Sequence, residues 1–261
     1  MVLKRRVALE GVQLDELDER IVISGIDEAA GKDNITAVGS SAGVGQRITG
    51  QRRDTLDVTV KFMMKIKNGD MEARELLLEK INGWAAAGGW LTVGHRPDRR
   101  LNVVLAQAPG AGDMFNWTNE YTMVFRAYSV PYWEDRKTTT AASKTASTGS
   151  FSLEVPGNVQ TVAGLKIENM SGKTINKITV SVDGNSMEFT GLNMAGDAVM
   201  TIDHVQKSEG LFYFRARIGS TSVLAKRTGA NDFFARPGTR TVEFTADRAV
   251  RVTASVRGRY L

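Results

Sequence analysis

Two histidines, His95 and His204, are the only imidazoles in the chain, and an imidazole is the side chain best placed to move protons near neutral pH. They lie far apart, and neither has a second histidine at the spacing of an HExxH metal motif. In "TIDHVQ" Asp203 precedes His204, which supplies the residue types of a base and its orienting carboxylate. Neighbours in an extended segment point to opposite faces, so these two do not cooperate there. No GxSxG elbow offers a nucleophilic serine. Cysteine is absent, which removes thiol catalysis, thiolate metal sites and disulfides together. Carboxylates can pair across space as in glycosidases, but no acidic pair stands out.

Glycine clusters raise the question of phosphate binding. "GSSAGVGQ", Gly39 to Gln46, has one residue too many between its outer glycines, and Gln46 stands where a phosphate loop needs lysine. A dinucleotide reading of Gly43-Val44-Gly45 fails at Ile48, where glycine is required. Trp84, Trp90, Trp117 and Trp133 could stack on sugars, but Trp84 belongs to a helix stripe and the others read as packing or interface residues. The expectation is no catalytic, cofactor-binding or metal residue, no cofactor, and a protein that is not an enzyme.

A chain of 261 residues and 28.5 kDa has a length prior of about two domains. Its 42% hydrophobic content is enough for packed cores. The net charge is +5, but basic and acidic residues are interleaved, which describes a solvated surface more than a nucleic-acid stripe. No apolar run approaches the roughly 18 residues that cross a bilayer. The opening "MVLKRRVALEGVQLDE" lacks the apolar segment of a signal peptide, so synthesis in a cytoplasm without export by that route is expected.

The elements that must hold any site are mostly strands. "RIVISGID" alternates, and so does "DTLDVTVKFMMKI", with Leu56, Val58, Val60 and Phe62 on one face. The Gly/Ser-rich stretch between them, residues 28 to 50, reads as a long loop or mobile arm. Asp70 can cap a helix whose apolar stripe is Leu77, Leu78, Ile81, Trp84 and Ala85, ended by Gly88-Gly89. "WLTVG" and "RLNVVLAQA" follow as strands around "HRPDR", and "EYTMVFRAYSVPYW" alternates again. "RKTTTAASKTASTGS" has no large apolar residue and reads as a linker.

Beyond it the chain reads as all β. In "ITVSVDGNSMEF" the Asp183-Gly184 pair fits a two-residue hairpin turn and pairs Val180 with Met187 and Ile178 with Phe189. "AVMTID", "LFYFRARI" and "TSVLAKR" add strands, and two alternating runs follow the turn at "RPG", one around Val242 and Phe244, one through Val250, Val252, Ala254 and Val256. The expected architecture is mainly β: residues 1–137 a β-domain with one α-helix, 138–150 a linker, and 151–261 a β-sandwich.

The order and spacing of "RRDTLDVTVKF", the Trp84 helix, "GGWLTVGHRPDRRLNVVL", "FRAYSVPYWED", "AVMTID", "RPGTRTVEF" and "VRVTASVRGRYL" resembles the distal tail proteins of long-tailed bacteriophages, within the siphovirus-type tail component family. The resemblance spans nearly the whole chain around the linker; the loop at 28–50 departs from it. It implies a hexameric hub in the virion, made in the host bacterial cytoplasm, joining the tail tube to the tail tip or baseplate. The first domain would build the ring, the second a peripheral galectin-like or related sandwich, and DNA would pass through the lumen unread, with no membrane partner. Such a ring needs head-to-tail contacts that close, which long loops and exposed strand edges can provide. Two other assignments compete: another tail or tube component, or a carbohydrate-binding sandwich module.

Overall fold

The computed structural model describes residues 5–29, 32–39, 46–67, 70–109, 120–128, 130–206 and 212–261. The chain divides into two compact units, Met1–Trp133 and Glu134–Leu261.

The first unit comprises β1 (Val7–Leu9), β2 (Val12–Gln13), α1 (Leu14–Leu17), β3 (Ile21–Glu28), β4 (Lys32–Gly39), β5 (Gln46–Met64), α2 (Met71–Ala86), β6 (Gly89–Val93), β7 (Arg96–Gln107) and β8 (Glu120–Ala127). Its antiparallel sheet runs β2-β1-β6-β7-β8-β5-β3, with β4 paired to β5. Alternation sets the faces: Leu56, Val58, Val60 and Phe62 of β5 and Met123 and Phe125 of β8 are buried, as a period of two requires. Helix α2 begins where Asp70 accepts a hydrogen bond from Ala73 N at 3.1 Å, satisfying a first-turn donor. It buries Leu77, Leu78, Ile81 and Ala85. Trp84 lies edge-on to Phe125, 5.9 Å between ring centres, and its Nε1 donates to Val12 O.

Three expectations change in this unit. The segment read as a loop at 28–50 is in its described part a β-hairpin: β4 pairs antiparallel with β5, from Lys32↔Thr55 to Gly39↔Gln46. Alternating β-formers such as Ile35 and Val38 outweigh the glycines once a partner strand lies alongside. The turn joining β6 to β7 is Gly94–His95, and "RPDR" is strand. The short helix α1 joins the single helix expected.

The second unit follows the junction strand β9 (Trp133–Asp135). It contains β10 (Thr139–Ala142), β11 (Ala146–Val155), β12 (Thr161–Val162), β13 (Gly164–Asn169), β14 (Ile175–Val182), β15 (Asn185–Met194), β16 (Val199–Gln206), β17 (Phe212–Ile218), β18 (Thr221–Ser222), a 3-10 turn at Leu224–Lys226, β19 (Arg227–Gly229), β20 (Phe234–Ala235), β21 (Gly238–Val256) and β22 (Arg259–Tyr260). The long strand β21 organises it. Residues 238–246 pair with β11 and β14, and residues 250–256 with β13 and β10. β15 and β19 extend the first layer, β16, β17 and β18 the second. Between the layers lies one core that includes Leu153, Val180, Phe189, Met200, Phe244 and Val252. The two alternating runs expected near the end of the sequence are thus a single bent strand that keeps its even-numbered residues inward on both sides of Asp247 and Arg248.

Residues 138–150 are not a linker. β10 pairs with residues 253–256 and β11 with 238–245, and between them Ser143 N donates to Val252 O at 2.8 Å. Small Thr, Ser and Ala side chains suit the solvent rows of a sheet, while Ala141, Ala146 and Phe151 pack on the core. Composition alone does not separate such a strand from a flexible tether. The Asp183-Gly184 turn is as expected: φ is 49° and 83°, and Ile178↔Phe189 and Val180↔Met187 are in register.

Candidate assembly surfaces

Both histidines are closed off in pairs with carboxylates. His95, at the β6–β7 turn, has Nε2 2.5 Å from Glu28 Oε1. The other oxygen of Glu28 lies 3.0 Å from Arg96 and accepts from Trp133 Nε1 at 3.1 Å. His204 Nε2 is 2.6 Å from Asp232 Oδ1, with the ring edge-on to Phe214. Asp203 points the other way and takes a two-pronged hydrogen bond from Arg215 at 2.8 and 2.6 Å, which raises the pKa of that guanidinium. Asp203 and His204 are on opposite faces, as adjacent strand residues must be. The partner of His204 was not legible because Asp232 is distant in sequence. No hydroxyl bonds to either imidazole, and no group of three His, Cys, Asp or Glu gathers among the described residues.

The aromatic and glycine candidates resolve as packing or fall outside view. Arg100 stacks over Trp90 at 3.7 Å from the ring centre, and Arg96 lies over Trp133 at 5.4 Å. Trp117 and residues 40–45 of the glycine-rich stretch lie outside the described residues.

What the first unit does present is backbone edge and projecting strand. β3 lies at one end of the sheet and pairs only with β5 along this path. Among the described residues no strand pairs with the other side of its 8 residues, and apart from the Ile21 N–H, which donates to Asp18 O, that side is a template for a further strand. The only break is an irregularity between Ile23 and Gly25. Residues 58–63 of β5 have partners on both sides, β3 and β8; residues 46–55 have β4 alone among the described residues. At roughly 3.3 Å per residue that hairpin arm reaches about 30 Å. On it Ile35 is 53% exposed. On the sheet face opposite the core, Val104 and Tyr128 are exposed beside the Arg126–Asp57 pair, and Met63 is exposed farther along β5, opposite Glu120.

The second unit is made differently. The strands that end its path are short, β18 with 2 residues and β19 with 3, which blunts those edges against further pairing, while the 10-residue β11 pairs with β21 alone among the described residues. One outer face carries the cross-strand row Thr148, Thr245, Thr179, Glu188 and Thr228. The threonine hydroxyls and the Glu188 carboxylate are suited to water.

No protein-family model matches the sequence, and no curated protein matches it. Among solved structures, the Dit protein (gp 19.1) of phage SPP1, described as a paradigm of the hub adsorption apparatus in phages infecting Gram-positive hosts, superposes with a TM-score of 0.72 at 12% identity, over 98% of this chain and 99% of that one. The phage P2 baseplate in its activated conformation with Ca aligns at a TM-score of 0.49 and 9% identity over 99% and 98% of the two chains. From end to end, the chain has the fold of a phage distal tail hub protein.

Proposed function

We propose that this protein is a structural, non-enzymatic hub of a phage tail, a homo-hexameric ring in the virion that joins the tail tube to the tail tip or baseplate and leaves a lumen for DNA. The observation that carries this is the full-length match to the SPP1 hub fold. The surfaces are those an assembly protein needs. An open strand edge and a projecting hairpin occur in one unit, and a sandwich forms the other. The first unit builds the ring by adding the β3 edge of one copy to the sheet of the next, a head-to-tail contact that can close on itself. The second unit sits at the periphery. Its partners are further copies, the tube protein and the tip proteins, and DNA is in transit only. No helix among the described residues is long and apolar enough to cross a membrane.

Negative-stain electron microscopy and light scattering on the purified full chain test this. Rings with the mass of six copies are expected, and a monomer at tens of micromolar would remove the hub assignment.

A further inference from the structure

The β4–β5 arm leaves the sheet at a single place. Glu28, the last residue of β3, pairs with Val58. Ala29 N then donates to Asp57 O at 3.0 Å, and β4 begins at Lys32 opposite Thr55. Beyond that point the two strands have only each other among the described residues. A lone two-stranded hairpin is marginally stable in water, so whatever holds its root decides where the arm points.

The root is gripped from both faces of the sheet. Val58 is buried, so its cross-strand partner Glu28 faces the core side and Asp57 faces the other. On the core side the Glu28 side chain is only 16% exposed. Its carboxylate lies within hydrogen-bond distance of three groups: His95 Nε2 at 2.5 Å, Arg96 at 3.0 Å and Trp133 Nε1 at 3.1 Å. Trp133 is fully buried, with Arg96 over its ring. On the outer side Asp57 takes a two-pronged hydrogen bond from Arg126 of β8, 2.6 Å to each oxygen.

A carboxylate this far withdrawn from water adds little net stability over an apolar side chain of its size, because desolvation offsets the gain from pairing. What its charge-assisted bonds add is direction. We infer that Glu28 and Asp57 are positioning residues: together they clamp the root of the β4–β5 arm and present it, already oriented, to a second copy of this chain. An arm held in place before contact avoids the ordering cost that a swinging arm would incur on docking. Both residues act through the backbone of the arm and not by touching the neighbour. The inference rests on the ring proposed above and names what orients its projecting part.

Hydrogen exchange of the full chain, read peptide by peptide by mass spectrometry, tests this with near-isosteric changes. In Glu28→Gln/Asp57→Asn protein the amides of residues 32–39 and 46–55 are expected to exchange about tenfold faster than in wild type, while those of α2 keep their protection. Light scattering on the same protein is expected to show association weakened by about tenfold. Swapping the outer pair, Asp57→Arg with Arg126→Asp, is expected to return most of the arm protection that Asp57→Arg alone removes. Residues that served only folding would instead loosen α2 and the rest of the sheet as much as the arm. That uniform pattern, an arm as protected as in wild type, or full association despite a loosened arm each overturns the clamp and leaves the hub assignment standing. A wild-type chain that never associates overturns both.

Discussion

Two strands of equal length, β5 and β21 at 19 residues each, divide their work in opposite ways. β21 has neighbours along nearly its whole length and buries Val242, Phe244, Val250, Val252, Ala254 and Val256 in one core. β5 is paired on both sides only from Val58 to Met63; its first half has a single partner among the described residues and extends the arm. Strand length is therefore a poor guide to what a strand contributes to stability. Pairing on the second side and burial decide it, and a half-paired strand is available for another molecule.

The strongest way to break this contrast is truncation. Removing residues 249–261 deletes Val250, Val252 and Val256, each worth about 1.5–3 kcal/mol of burial, from a unit whose whole stability is of order 5–15 kcal/mol. Circular dichroism should show the second unit's melt abolished and the first unit's retained. An unchanged second transition would refute the central role of β21. Point changes sharpen the contrast inside β5 and its hairpin. Phe62→Ala, at a fully buried position, should lower stability by about 3–5 kcal/mol. Ile35→Ala on the arm should stay within about 0.5 kcal/mol. Denaturant titration of the two variants measures both, and equal losses would mean that the arm packs as core.

A smaller effect is expected where β14 turns into β15. Gly184 has φ of 83°, so Gly184→Val should cost on the order of 1–3 kcal/mol, read as a shift in the second unit's melt with no change in association. The smallest involves Asp183, whose carboxylate accepts from Arg236 Nε at 2.9 Å and from Arg236 N at 3.1 Å. These bonds lower its pKa from 3.8 to about 2. A carboxyl depressed on folding stabilises above its unfolded value and loses that contribution as pH falls through its folded value. Melts between pH 4 and pH 2 should therefore steepen in wild type relative to Asp183→Asn, which tolerates the same backbone. Parallel curves would remove the pair from the account.

Local physics was legible in the sequence where it was sufficient. The Asp70 cap, the Leu77–Ala85 stripe, the β5 face and the Asp183-Gly184 register each depend on residues within a turn or a hairpin, and each is found where expected. What failed depended on distant partners. Thr139 pairs with Val256 and Thr148 with Thr245, and nothing inside 138–150 encodes that. The arm shows the same limit: its glycines and serines conceal a strand that only β5 makes visible. Of the assembly surfaces, open edges were foreseeable in kind, but which strands would carry them was not.

The position of β21 in the sequence also sets a timetable. Phe151 pairs with Val242, and Ile178 with Ala246, so early strands of the sandwich leave the ribosome long before the strand that joins them. With translation at about 5–20 residues per second, β11 waits on the order of 5–18 seconds for its neighbour. During that interval Leu153, Val155 and Phe189 have no finished core to enter. Strands β1 to β8 of the first unit are all made upstream and can pair in that time. The nascent second unit is where a chaperone would be expected to bind, and where slow codons would have the most to protect.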